Sequence, residues 1–119
     1  MGGTISVEGD VYNYGIILLE MFTGRRPTDL QFKDGLDLHM FVERAMPSQV
    51  MEFIYEDALC EGGSDVYKEC VLSVLRIGIK CSMTIPIERM KMKDVLYELQ
   101  KIKGIYEKEK SRQGRRNAR

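Results

Sequence analysis

Apolar side chains cover nearly every face of the helix that the sequence predicts over residues 10–23. A helix that is hydrophobic all round is normally buried inside a protein. Gly24 suits the left-handed position after a helix end, and Pro27 prevents the helix from resuming. One face follows the helical spacing of i, i+3, i+4 and i+7 and consists of Val11, Tyr14, Gly15, Leu18, Leu19 and Phe22. The other faces carry Ile16, Ile17 and Met21.

Three further helices are predicted along the chain. The first covers residues 38–45, with Asp37 as its N-cap and Pro47 beyond its end, and another turn or two falls within residues 48–54. The second covers residues 67–82. The third begins near Lys91 and fades near residue 103. The apolar face of the second helix consists of Cys70, Val71, Val74, Leu75, Gly78 and Cys81. That of the third consists of Met92, Val95, Leu96, Leu99 and Ile102. Strand-like alternation is absent from the sequence, so the predicted fold class is all-α.

Two connections separate these helices. Residues 25–36 form a predicted loop, and residues 56–65 form an acidic, glycine-containing connection that we expect to be flexible. The last helix begins after Lys91, whose side chain cannot accept the capping hydrogen bond that a serine, threonine or aspartate would accept.

Three blocks of the sequence resemble consecutive parts of one family. Residues 9–29 (GDVYNYGIILLEMFTGRRPTD) resemble the F helix and following loop of plant receptor-like serine/threonine protein kinases, especially those with leucine-rich-repeat ectodomains. Residues 34–42 (DGLDLHMFV) resemble the entry to the family's G helix. Within residues 79–99, the strings IKCS, PIERM and VLYEL resemble its H–I helix region. The blocks keep the family's order over residues 1–103.

The resemblance implies an incomplete helical C-lobe of a protein kinase fold, from the F helix to the I helix. This partial kinase domain covers residues 1–103, and residues 104–119 form a basic C-terminal tail predicted to be disordered. By this resemblance the chain begins after the point at which the family's Ala-Pro-Glu segment would end, and we expect Met1 to be an internal methionine of a longer protein.

The signature motifs of protein kinases are absent from the sequence. These are the Gly-rich loop, the Val-Ala-Ile-Lys lysine, and the His-Arg-Asp, Asp-Phe-Gly and Ala-Pro-Glu segments, and none occurs in the 119 residues. We therefore predict no catalytic, cofactor-binding or metal-binding residue in this chain. In full-length relatives, the resemblance implies ATP and Mg²⁺ as cofactors.

The resemblance assigns structural roles to Asp10, Gly15 and Arg89. The family aspartate matched by Asp10 accepts hydrogen bonds from backbone amides of the catalytic loop. The family arginine matched by Arg89 forms a buried ion pair with the glutamate of Ala-Pro-Glu. Neither partner occurs in this sequence. From the residues alone, Asp10 is an acid favoured by the helix dipole and Arg89 is a solvated arginine, so we expect both charges to face solvent.

Two other groups of polar residues favour an ordinary surface role. Arg25 and Arg26, with Thr28 and Asp29, match a region near the peptide-substrate groove of kinases, but a solvated loop is the preferred interpretation. His39 has no serine, cysteine or carboxylate constellation that the sequence reveals, which favours a histidine on a helix surface.

Charge is distributed unevenly along the chain, although the formal net charge is zero. Residues 1–100 hold 10 Lys/Arg and 16 Asp/Glu, whereas residues 101–119 hold 8 Lys/Arg and 2 Asp/Glu. A basic tail attracts anionic lipid or nucleic acid, but this one lacks interleaved aromatic residues. We therefore favour a solvated terminus, leave weak contact with an anionic membrane open, and expect no nucleic-acid partner.

The three cysteines, Cys60, Cys70 and Cys81, predict neither a disulfide framework nor a zinc site. Their number is odd and no Cys-x-x-Cys pair occurs. Cys70 and Cys81 share one helix face, which favours small core residues. The sequence also lacks an apolar run of membrane-spanning length and a signal-peptide pattern.

These observations leave three interpretations of function. The first is a C-terminal fragment of a receptor-like serine/threonine kinase, whose full-length relatives transfer the ATP γ-phosphate to Ser/Thr in signalling. The fragment itself is predicted to be inactive, because phosphoryl transfer requires parts that position phosphate, metal and nucleophile. The alternative is a non-enzymatic helical module that binds kinases or their substrates. The third is a helical adaptor of unrelated origin.

Partners and location follow from the first interpretation. The expected partners are the remaining kinase domain or other kinases. The expected location is cytoplasmic for the fragment, and the plasma membrane for full-length relatives, with the kinase domain in the cytoplasm.

Overall fold

Four α-helices account for most of the structure. The computed structural model describes residues 7–24, 38–52 and 65–117. Within these ranges no strand occurs, which confirms the all-α prediction. Two short 3₁₀ turns, Gln49–Glu52 and Pro86–Glu88, follow the second helix and precede the fourth. The helices are α1 (Val7–Thr23), α2 (Leu38–Ala45), α3 (Asp65–Cys81) and α4 (Met92–Asn117).

Helix bounds agree with the sequence pattern at several points. The bounds of α2 are those predicted, while α1 begins three residues and α3 two residues earlier than predicted. Gly24 has a φ of 70°, and its N–H donates to the Glu20 carbonyl at 2.9 Å, which confirms its role after the end of α1. The predicted cap at Asp37, the loop over residues 25–36 and the connection before Asp65 lie outside the described residues, as does Cys60.

The C-terminal half of α4 differs from the sequence prediction. The helix continues to Asn117, so the predicted fading near residue 103 is wrong. Lysine, glutamate, arginine and glutamine are good helix formers. The Glu109 carboxylate also accepts hydrogen bonds from Arg112 at 3.1 Å and Gln113 at 2.7 Å, contacts one turn apart that support a helix. The division into a partial kinase domain and a basic C-terminal segment stays a prediction.

The centre of the packing is α3. It makes its most extensive contacts with α1, and it also contacts α4 and α2. One group of buried residues joins α1, α2 and α3, and a second joins α1, α3 and α4. The first group is Leu19, Leu38, Val42, Ala45, Val50, Val71, Leu72 and Leu75, and the second is Val11, Leu18, Val74, Ile77, Cys81 and Val95. Each outer helix therefore covers a different part of α3.

The connection between α3 and α4 is held by backbone hydrogen bonds. The Met90 N–H donates to the Lys80 carbonyl at 3.1 Å, which brings the start of α4 back to the end of α3. The Lys91 carbonyl accepts the N–H groups of Asp94 and Val95 at 2.9 and 3.0 Å. Lys91 therefore stands where the sequence placed the cap of α4.

Candidate functional site

Two glycines allow α1 and α3 to cross in direct backbone contact. A Cβ atom added to Gly15 would lie 2.6 Å from the Cys81 Cβ and 2.7 Å from the Gly78 carbonyl oxygen. A Cβ atom added to Gly78 would lie 2.7 Å from the Leu19 Cδ2 and 3.2 Å from the Gly15 carbonyl oxygen. Since backbone atoms stand on both sides of this contact, a larger residue at Gly15 must move a helix. Gly15 therefore has a structural task that is visible in this chain.

Arg89 holds the connection between α3 and α4 against α1. Its Nε donates to the Met83 carbonyl at 2.7 Å, and its Nη2 donates to the Thr84 carbonyl at 3.3 Å. The guanidinium carbon lies 4.8 Å from the centroid of the Tyr12 ring on α1, within the range of a cation–π contact. The expectation that Arg89 turns to solvent is therefore wrong for this structure.

Asp10 lies in the N-terminal part of α1 and is exposed, as expected for a charge without a buried partner. Its neighbour Val11 is 2% exposed, so the helix surface turns from core to solvent within one residue. The proposed support of a catalytic loop by Asp10 stays a prediction.

His39 is buried, so the prediction of a surface histidine is wrong. The residue is 8% exposed, and its Nδ1 lies 2.7 Å from the Ser82 Oγ. Its Nε2 lies 3.8 Å from a carboxylate oxygen of Glu43, one turn further along α2. Because 43 residues separate His39 from Ser82, local sequence patterns could not reveal this contact.

The His39–Ser82 pair does not form a nucleophilic site. The Ser82 hydroxyl donates to the Gly78 carbonyl at 2.7 Å, whereas an activated serine gives its proton to the histidine. Ser82 is also only 2% exposed, so a substrate cannot reach its Oγ. The pair instead joins the start of α2 to the end of α3, at the same place where Gly78 meets Gly15.

The two described cysteines are core residues and poor nucleophiles. Burial raises the pKa of the Cys81 thiol from 9.0 to about 11. Burial also raises the pKa of Cys70, with smaller contributions from the charges of Glu109 and Glu69. Since the thiolate is the reactive form, both stay protonated and unreactive near neutral pH. Across the described ranges, no group of three metal-ligating side chains is present.

A groove between α3 and α4 contains two adjoining cavities of about 330 and 400 Å³. Both are lined by Ser73, Ile102 and Ile105. Asp65 and Glu69 stand at the first cavity, and Arg76, Lys80 and Lys101 stand at the second. The groove therefore has an apolar middle, an acidic end and a basic end. It can bind an apolar or charged surface. Cys70 also lines the acidic end, but burial raises the pKa of its thiol, which makes it a poor nucleophile.

One face of α1 carries exposed apolar side chains. Ile17 is 50% exposed and Met21, one turn further on, is 61% exposed. Leu18 and Leu19 are buried against α3 and its neighbours. A helix with apolar residues on all faces is thus covered on only part of its circumference by the described residues.

The helices of the described part of the chain are too short or too polar to cross a membrane. No protein-family model matches the chain.

Similar proteins nevertheless cover most of this chain. The LRR receptor-like serine/threonine-protein kinase EFR of Arabidopsis thaliana is 38% identical over 106 residues, which are 89% of this chain and 9% of EFR. The receptor kinase-like protein Xa21 of Oryza sativa subsp. japonica is 33% identical over an alignment of 113 residues that covers 87% of this chain and 11% of Xa21. This chain therefore spans about a tenth of the length of these relatives.

A solved structure shares the fold. It is the pseudokinase domain of BIR2, an immune regulator of the RLK/Pelle family, with a TM-score of 0.63 and 28% sequence identity. The match covers 89% of this chain and 30% of that one.

Proposed function

We propose, from the premise that this chain is a relative of plant leucine-rich-repeat receptor-like kinases with the helical fold of a kinase C-lobe, that it serves as the C-terminal part of such a C-lobe. By itself it transfers no phosphate. The full-length activity, transfer of the ATP γ-phosphate to Ser/Thr in signalling, belongs to this proposal. The observation that carries it is the similarity to receptor kinases across nearly nine-tenths of the chain without any kinase signature motif.

The open face of α1 supports the proposal. Ile17 and Met21 form an apolar surface on a helix whose opposite side is tightly packed. Exposed apolar patches of this kind commonly mark a surface that another part of a protein covers. In the proposed assembly, the remaining C-lobe covers this face and places its catalytic loop beside Asp10.

A chimeric kinase domain tests the structural part of the proposal. The 106-residue segment of EFR that matches this chain is replaced by this chain within the EFR kinase domain. We expect a soluble protein that binds Mg-ATP as the unaltered domain does. A chimera as insoluble as an EFR domain lacking the segment would contradict the proposal.

Matched variants of the chimera locate the packing surface. Ile17→Glu places a charge on the face that the proposal covers, and we expect it to abolish solubility. Ile87→Glu is the control, because Ile87 is 90% exposed in the connection before α4. Equal solubility of the two variants would show that the α1 face is not covered.

A phosphotransfer assay tests the predicted inactivity. The purified chain is incubated with Mg-ATP and a generic Ser/Thr substrate, with an active receptor-kinase domain as positive control. We expect no transfer above the blank and no ATP binding of micromolar affinity by calorimetry. Transfer that survives removal of contaminants would contradict the proposal.

The alternative function is a non-enzymatic helical module that binds kinases or their substrates, and the same open face on α1 favours it. The gene sequence upstream of Met1 distinguishes the two functions. In-frame His-Arg-Asp and Asp-Phe-Gly segments there would support the kinase. A cytoplasmic location, which the family implies, and weak contact of the basic C-terminal segment with an anionic membrane, which its charge implies, stay predictions.

A further inference from the structure

The exposed side of α3 carries an ordered series of charges. Asp65, Glu69, Ser73, Arg76 and Lys80 follow one helix face, and we call them the α3 stripe. The four charged residues are exposed and Ser73 is half-buried. Among the described residues, none of the four charges has an ion-pair partner.

The order of these charges is only partly explained within one molecule. An acid in the first turn and a base in the last turn complement the helix dipole, which accounts for Asp65 and Lys80. Glu69 and Arg76 lie further inside the helix, where the dipole effect fades. Asp65–Glu69 and Arg76–Lys80 are also like-charged pairs one turn apart, which are unfavourable in a single helix. An opposite charge from outside would relieve both pairs.

We propose that two copies of this chain pair through the α3 stripe, with their α3 helices antiparallel about a twofold axis. In sequence, Asp65 and Lys80 lie at equal distances from the point between residues 72 and 73. Glu69 and Arg76 also lie at equal distances from that point. An antiparallel copy that brings Glu69 opposite Arg76 therefore also brings Asp65 opposite Lys80. The twofold axis repeats each contact, as in any isologous interface. A shift by one helical turn would remove this match.

The groove beside the α3 stripe adds an apolar contact at its centre. Ile102 and Ile105 of α4, with Ser73, line both the acidic and the basic cavity, so they lie near the proposed axis. Ile105 is 51% exposed in the single chain. Lys101, at the basic end, lies 3.7 Å from Glu98 and so has a partner of its own. Pairing covers Ile105 of both copies while the charges align the helices.

The pairing is expected to be weak and sensitive to salt. Sixteen helical residues span about 24 Å, and a helix with its neighbouring groove is about 20 Å wide. The area buried is then about 1,000 Å² in total, at the lower limit for specific interfaces. Exposed ion pairs are screened by salt, whereas association through the apolar face of α1 is not. Gly78, which contacts α1, lies on the side of α3 opposite the α3 stripe, so the pairing surface is separate from the α1 face that the proposed kinase assembly covers.

Sedimentation velocity of the full 119-residue chain tests the proposal. We expect a monomer–dimer equilibrium at low salt. The dissociation constant should be at least tenfold higher in 0.5 M NaCl. Glu69→Arg and Arg76→Glu each place like charges opposite one another, so each variant alone should be monomeric. The double variant should dimerise again. A mixture of the two single variants should form a heterodimer, because every facing pair is then opposite in charge.

Controls carry the same charge changes on the far side of α4. Glu107→Arg and Lys103→Glu alter exposed residues away from the groove, and both should dimerise like the parent chain. Recovery in the double variant and in the mixture also shows that the single variants fold.

A chain that stays monomeric at low salt overturns the proposal, as does a dimer that both single variants keep. A monomer that sediments with phosphatidylserine vesicles through Arg76 would assign the basic end to a membrane and equally overturn it.

Discussion

The α1–α3 crossing and the C-terminal half of α4 use the same residue type for opposite reasons. At the crossing, Gly15 and Gly78 have backbone and side-chain atoms of the facing helix where a Cβ would stand. In α4, Gly104 and Gly114 have no atom within 4 Å of such a position. In the first region, glycine permits a contact that holds the fold together. In the second, glycine only weakens a helix. The effect of a glycine on stability therefore depends on the atoms that face it.

The two regions also differ in the range of their stabilising contacts. Residues far apart in sequence meet at the crossing, where Arg89 reaches Tyr12 and His39 reaches Ser82. Beyond residue 106, the contacts of α4 include bonds within one turn, such as those of Glu109 with Arg112 and Gln113. Glu109 is itself 4% exposed, and, in addition to burial, its charge raises the pKa of Cys70 in α3. We therefore expect the crossing to unfold with the whole molecule, and the turns of α4 beyond Glu109 to open separately at lower cost.

Replacing Gly15 by alanine should give the largest loss of stability. The added Cβ meets the Gly78 carbonyl and Cys81, so a helix must shift, and overpacking of this kind costs about 1–3 kcal/mol. The free energy of unfolding is measured by chemical denaturation, or the soluble fraction is compared if the variant does not fold. Gly104→Ala is the matched control. Equal stability of the two variants would show that the helices do not touch at Gly15.

Replacing Arg89 by methionine should give the next largest loss. The change removes two hydrogen bonds to carbonyl groups and the contact with Tyr12. Bonds from charged donors contribute about 1.5–3 kcal/mol each, and partial exposure lowers this to about 1–2 kcal/mol in total. Lys93→Met, at an exposed position in α4, controls for the lost charge. Identical denaturation midpoints for the two variants would show that Arg89 contributes no more to stability than a solvated arginine.

Replacing Gly104 or Gly114 by alanine should stabilise the chain. Neither position has a neighbour to clash with, and alanine favours a helix by about 0.5–1 kcal/mol relative to glycine. Slower amide hydrogen exchange in the second half of α4 would report the gain even if this segment opens by itself. Unchanged exchange, with the helical content also unchanged, would argue against a helix beyond residue 103.

Replacing Asp10 by asparagine should have the smallest effect in this chain. Asp10 is exposed, and surface substitutions usually change stability by less than about 0.5 kcal/mol. In the chimera with EFR, the same change should lower both solubility and Mg-ATP binding, because Asp10 would then hold the catalytic loop. Asn13→Asp is the control, since Asn13 is also exposed on α1. An unaffected chimera would remove the proposed role of Asp10 without affecting that of Gly15.

Local pattern was sufficient for most helix bounds. Helical periodicity and Pro47 placed α2, and Gly24 marked the end of α1, because capping and backbone preference act within a few residues. The same reasoning ended α4 too early. It followed the apolar stripe, whereas good helix formers and one-turn side-chain contacts continue the helix to Asn117.

Long-range contacts were beyond the reach of the sequence. The sequence by itself determined the helices, the all-α class, the absence of kinase motifs and the family that the blocks resemble. Only the tertiary structure decided that Gly15 faces Gly78, that His39 is buried on Ser82, and that Arg89 binds the Met83 and Thr84 carbonyls. Periodicity shows which face of a helix is apolar, but the partner on that face depends on how the helices pack across many residues of chain.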